Sequence, residues 1–229
     1  MAAMRRPLSF DPAIADRRLL GALSLAAGLL TLALVLLAAG PGPLEPGELL
    51  PYFQAHRARY AISASVTLLW MLATIPFLAT LKEMLGAERR SLALAATLLS
   101  TCGVALLGFG TFVSIGSFFA LDTVSSGIAA RMQGPYQAAI WRALGFLLSD
   151  PGLMTLGGGQ LLFSWLAMRT NVGRWLVIVG FIGGIAGLLT LAVFQTPMLA
   201  LVQLASFALC ALAAGVALIR NGAPQNVTR

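Results

Sequence analysis

The chain has 229 residues, 59% of them hydrophobic and 10% charged, with a mean hydropathy of +0.88. A soluble domain carries roughly 25% charged residues, so a water-soluble enzyme or binding module is excluded as a class. The formal charge of +7 would suit nucleic acid, but the basic residues stand in short segments between apolar runs. That placement reads as an orientation signal, and no nucleic-acid partner is expected.

Apolar runs of about 20 residues predict an all-α fold, a polytopic transmembrane helical bundle embedded in a lipid bilayer. The whole chain, 1–229, reads as a single transmembrane domain. Six spans are expected at about 19–40, 60–81, 91–121, 151–168, 175–194 and 198–219. The first run follows Arg17 and Arg18 and is longer than the 7–15 residues of a signal-peptide core, so it is read as an uncleaved span. Pro76 removes one backbone donor in the second span and should kink it. The third run is longer than the hydrocarbon core requires, so it should tilt or project beyond the outer surface.

Six spans put both termini on one side. That side holds Arg5, Arg6, Arg17, Arg18, Lys82, Arg89, Arg90, Arg169, Arg174, Arg220 and Arg229, against Arg57, Arg59, Arg131 and Arg142 opposite. The excess predicts cytoplasmic termini in a bacterial cytoplasmic membrane. Two short interfacial helices are expected on the outer face, at about 48–59 and 136–148. The strings "PYFQA" at 51–55 and "PYQAA" at 135–139 are related, either as remnants of a duplication or as aromatic residues collected at the interface.

The stretch "LLSDPGLMTLGGGQLL" at 147–162 raises the question of a buried charge. Counting outward from Met168 puts Asp150 at the outer boundary, about 27 Å away at 1.5 Å per residue. Ser149-Asp150-Pro151 then reads as a helix start, with Asp150 as N-cap and Pro151 in the first turn. A functional carboxylate at the outer mouth is the other reading. Gln160 falls near the bilayer middle, about 13 Å from Arg169. It is either an interhelical hydrogen bonder or a midplane site. Gln203 is expected close to the outer surface.

The outer polar residues His56, Arg142 and Asp150 could line a ligand site together, or simply solvate the loops. Gly180 and Gly184, and Gly183 and Gly187, form two G-x-x-x-G pairs that should pack the fifth span within the bundle, or against a second copy or another membrane protein. Cys102 and Cys210 lack metal or redox spacing and His56 is the single histidine, so no metal and no cofactor is expected. There is no nucleophile elbow, no H-E-x-x-H and no phosphate loop, so no catalytic residue is assigned.

Two strings carry a resemblance: "PYFQAHRARYAISASVTLLWML" before and within the second span, and "LLFSWLAMRTNVGRWLVIVGFIGGIAGLL" across the fourth and fifth. Over residues 15–220 the layout resembles an uncharacterised bacterial six-span integral membrane protein family, a domain of unknown function. That resemblance implies the architecture and carries no activity. The sequence alone therefore suggests a non-enzymatic bundle that binds a lipid or small apolar ligand, or an accessory membrane subunit. A small transporter or channel with a midplane site near Gln160, and a membrane enzyme acting at the outer interface, are the alternatives.

Overall fold

A computed structural model describes residues 12–38, 46–85, 89–124, 128–168, 174–192 and 197–221. These residues form seven α-helices: α1 (Pro12–Ala38), α2 (Pro46–Ala55), α3 (Arg57–Leu85), α4 (Arg90–Val124), α5 (Ile128–Ala167), α6 (Arg174–Ala192) and α7 (Pro197–Asn221). Among them, four stretches are long and apolar enough to cross a membrane. These are Arg17–Leu37, Arg57–Leu85, Arg90–Ala120 and Met198–Arg220, and α6 adds a shorter apolar stretch, Arg174–Thr190.

Every helix but α2 packs on its neighbours in a closed ring: α1 on α3, α3 on α4, α4 on α5, α5 on α6, α6 on α7, and α7 back on α1. Short connections make successive ring members antiparallel. Lys82, Arg90, Arg174 and Arg220 therefore gather at one end of the ring, the basic end. The interior is filled by Trp70, Phe77, Leu78, Val104, Leu156, Phe163 and Phe207, all buried in one cluster. Trp70 Nε1 donates to Thr31 Oγ1 at 2.9 Å, and Thr31 Oγ1 in turn donates to the Ala27 carbonyl at 2.6 Å. This relay joins α3 to α1 with both polar groups satisfied away from water. Arg59 donates to the Leu37 carbonyl at 2.7 Å, so a cation from α3 sits on the carbonyl end of α1.

The tightest joint is between α4 and α5. A Cβ added at Gly103 would lie 2.7 Å from the Gly152 carbonyl oxygen, and one at Gly152 would lie 3.1 Å from the Gly103 oxygen. Seven residues along α4 and seven back along α5, Gly110 meets Gly145; a Cβ on either would lie 2.6 or 2.7 Å from the other's oxygen. In the other direction, a Cβ at Gly159 would lie 2.8 Å from the Ala96 oxygen. Small residues thus recur every seven positions on both helices, the spacing that keeps one seam facing its partner. The joint between α1 and α7 has the same construction. Gly21 meets Gly215 and, seven residues on, Gly28 meets Ala208.

This seam corrects the expectation that 136–148 and 151–168 are separate helices. α5 is one helix from Ile128 to Ala167 and runs through Pro151. Asp150 is therefore an interior helix residue and not an N-cap. A proline inside a helix costs about 3 kcal/mol. Here the seam with α4 continues on both sides of the proline, through Gly145 before it and Gly159 after it, and holds the chain helical across it.

The expected helix at 48–59 is likewise corrected. α2 ends at Ala55, His56 forms the turn, and Arg57 and Arg59 belong to α3. The His56 amide closes α2 on the Tyr52 and Phe53 carbonyls at 3.1 and 3.0 Å. Phe53 is fully buried, stacked on Phe118 with centroids 4.9 Å apart and edge-on to Phe119 at 5.1 Å. Aromatic contacts of this kind fix α2 against the α4–α5 hairpin. The string at 51–55 ends a short helix, whereas that at 135–139 lies inside α5, so the two do not occupy equivalent places. α3 stays helical through Pro76, whose carbonyl accepts from Thr80 Oγ1 at 2.9 Å.

The seam gives a paired prediction. Gly103→Ala puts a methyl group against the backbone of α5, so it should lower the melting temperature of the purified protein, at a cost of about 1–3 kcal/mol. Gly116→Ala meets nothing within 4 Å and should leave stability unchanged or raised. Equal effects of the two changes in a thermal melt would contradict the seam.

Candidate functional site

At the basic end the ring is wider than its side chains fill. A cavity of about 400 Å³ opens there between α3, α5, α6 and α7, with Ser100 contributed by α4. Its walls are Phe77, Leu78 and Leu81 of α3, Phe163 and Ala167 of α5, Leu176 and Val177 of α6, and Phe207, Ala213 and Ala214 of α7. Met84 and Ala217, both exposed, stand at its rim. The three alanines of α7 leave the space that larger residues would occupy. A cavity of this size with an apolar wall and few polar groups falls in the range of small-molecule sites.

The polar groups of the wall are Ser100, Gln160, Ser164 and Cys210, and no charged residue lines it among the described residues. Gln160 is 6% exposed, and its Nε2 donates to Ser206 Oγ at 2.7 Å. The Ser206 hydroxyl in turn donates to the Val179 carbonyl at 2.7 Å. A carbonyl can only accept, so the single Ser206 proton is committed to Val179. Ser206 must then accept from Gln160, which fixes the amide nitrogen toward α7. The other amide atom, Gln160 Oε1, is buried with no partner among the described residues. Ser164 Oγ donates to the Gln160 carbonyl at 2.8 Å, closing the local network.

The glycines of α6 make this arrangement possible. A Cβ at Gly183 would meet Ser206 Oγ and lie 2.8 Å from Gln160 Nε2. One at Gly187 would lie 2.5 Å from Gln203 Nε2. Gly183 and Gly187 therefore form a slot for two glutamine amides. Gly180 lies against Ser164, and Gly184 receives Leu161 and the Gly157 backbone. All four predicted packing glycines face α5 or α7 of the same chain, while Ile178, Ile182 and Ile185 face outward.

Gln203 is fully buried between the helices. Its Nε2 donates to the Leu153 carbonyl at 2.7 Å, and its Oε1 has no partner among the described residues. Gln203, Ser206 and Cys210 follow one another at helical spacing on α7. The Cys210 thiol approaches the Leu176 carbonyl at 3.9 Å, while Cys102 faces outward from α4, so the two cysteines do not meet.

The outer polar residues are not brought together. His56 Nδ1 donates to the Tyr52 carbonyl at 2.9 Å, and its ring stacks on Tyr52 at 4.1 Å. The Arg142 guanidinium lies over the Phe146 ring at 5.5 Å. Asp150 stands two helical turns further along α5, about 12 Å at 1.5 Å per residue. Among the described residues it forms no ion pair with Arg142. Of the four ligand residues expected from sequence, Gln160 lines this cavity and His56, Arg142 and Asp150 do not. The described residues also contain no group of three His, Cys, Asp or Glu that could hold a metal ion.

The alanines of α7 and the partners of Gln160 escape sequence reading, because nothing in a run of small apolar residues marks which side faces a hollow. The signal available for Gln203 and Ser206 was their three-residue spacing, which puts two polar groups on one face of an apolar helix.

Asp150→Ala separates its two structural roles. At an N-cap the change would cost about 1 kcal/mol. In the interior of α5 it should be neutral or stabilise slightly, since alanine is the better helix former. A lowered melting temperature for this variant alone would restore the cap. No protein-family model matches the chain, and no curated protein or solved structure is similar to it.

Proposed function

We propose that the chain is a six-span integral membrane protein that holds a lipid or small apolar ligand in the cavity between α3, α5, α6 and α7. The observation that carries this reading is the cavity itself. Among the described residues it has an apolar wall without charged groups, lined by one buried amide whose oxygen has no partner there.

Six spans follow if α5 and α6 cross together with the four long apolar stretches. α6 is about 28 Å long at 1.5 Å per residue, close to the thickness of a hydrocarbon core. It also packs lengthwise between α5 and α7. The excess of Arg and Lys at the basic end supports cytoplasmic termini and a bacterial cytoplasmic membrane. The cavity then opens toward the cytoplasmic leaflet.

A transporter is the second reading, favoured by the polar series Gln203, Ser206, Gln160 and Ser164 between α5, α6 and α7. Coupled pumps keep ionisable groups at depth, and this series contains none. A fixed binding site therefore accounts for the observations better than a pathway.

Purification in particles that retain native lipid, followed by mass spectrometry of what co-purifies, tests the reading. A defined small molecule near one per chain is expected. Ala213→Phe, which places a ring in the cavity, should remove it while the protein still folds. Recovery of another membrane polypeptide with no such molecule would favour the accessory-subunit role instead.

A further inference from the structure

The cavity wall also selects the chemistry of the occupant's polar end. This inference rests on the binding role proposed above and goes further by naming the class of ligand. Gln160 Nε2 is committed to Ser206, and the Ser164 proton to the Gln160 carbonyl. What remains beside Gln160 is acceptor capacity, namely Gln160 Oε1, unpartnered and buried in a residue that is 6% exposed, and the lone pairs of Ser164 Oγ, while the Ser100 hydroxyl of the same wall can donate or accept. A ligand whose polar group only accepts could take the Ser100 proton but would leave Gln160 Oε1 without a donor.

A carboxylate or phosphate would be worse placed, since no cation lines the cavity among the described residues and an unpaired buried charge is costly. A buried oxygen without a donor carries its full desolvation cost, which a donor would relieve. Gln160 lies seven residues inside the end of α5, about 10 Å from it, whereas Met84 and Ala217 form the rim. The polar end therefore sits deep and the apolar part runs outward past Leu81, the reverse of a phospholipid with its head at the surface.

We infer that the ligand is an uncharged amphiphile with a terminal hydroxyl, which enters head first and donates its O–H to Gln160 Oε1. The test uses the full chain in phosphatidylcholine nanodiscs and a 12-carbon alcohol carrying a photoreactive diazirine on its tail. Labelled peptides are mapped by mass spectrometry, with unlabelled 1-dodecanol, its methyl ether and dodecanoate as competitors.

Saturable labelling of the α3 and α7 peptides that carry Leu81, Met84 and Ala217 is expected. The ether should compete about tenfold more weakly than the alcohol, the loss of one hydrogen bond to a buried acceptor, and dodecanoate more weakly still. In Gln160→Leu the alcohol and ether should compete equally. If that variant fails to fold, the ranking of the three competitors on the unaltered protein decides by itself. Equal competition by alcohol and ether there, or a preference for dodecanoate, overturns the hydroxyl inference and leaves the binding role standing. Absence of saturable labelling, unchanged by Ala213→Phe, overturns the binding role as well.

Discussion

The backbones of α4 and α5 touch at Gly103 and Gly152, again at Gly110 and Gly145, and a third time at Ala96 and Gly159. The shape of a ring of six helices depends on how closely neighbouring walls approach. In lipid there is no hydrophobic drive between helices, and close backbone approach through small residues supplies the association. The seam fixes α5 beside α4 over most of its length. α5 can then present its other faces to α6 and the ring interior. Two of the three consecutive glycines show this directly, since Gly157 faces the Gly184 and Gly187 backbones while Gly159 faces Ala96 and Ser100.

From that placement the cavity follows. With α5 held on α4, Gln160 reaches across to Ser206, and the Gly183–Gly187 slot of α6 admits both its amide and that of Gln203. Larger residues at either glycine would push α6 away and open the amides to lipid. Below this polar layer the interior changes from Phe77, Phe163 and Phe207 to the alanines of α7, and packing gives way to space. A small-residue seam, a glycine slot and an alanine wall are thus three uses of one property, the absence of side-chain bulk. They produce in turn contact, accommodation and vacancy.

Much of the architecture was legible in the sequence. Long apolar runs bounded by arginine place five of the six ring helices to within a few residues at the ends facing their partners, although α1 begins earlier, at Pro12, and α3 runs on to Leu85. The failures are local and share a cause. Asp150-Pro151 has the chemistry of a helix start, and only the partner helix decides otherwise. The seven-residue recurrence of Gly145, Gly152 and Gly159 was readable, but a search for four-residue spacing passes over it. Gln160 was legible because a lone amide deep in an apolar run needs a partner. Its partner Ser206 and the unpartnered Gln203 oxygen depend on which faces of α5, α6 and α7 meet, and a single chain of letters does not encode that locally.

The continuity of α5 through Pro151 is the claim on which the seam, the glutamine layer and the cavity all rest. A spin-label distance between Ile140→Cys and Trp165→Cys measures it, in a background where Cys102 and Cys210 are replaced by alanine. Both positions are on the exterior, 59% and 47% exposed, and lie on the same face of α5. An unbroken helix predicts a separation of about 37 Å at 1.5 Å per residue. A helix that stops at Asp150, with the preceding segment lying flat on the membrane, would bring the labels to about 27 Å on the same rise, and that result would contradict the account.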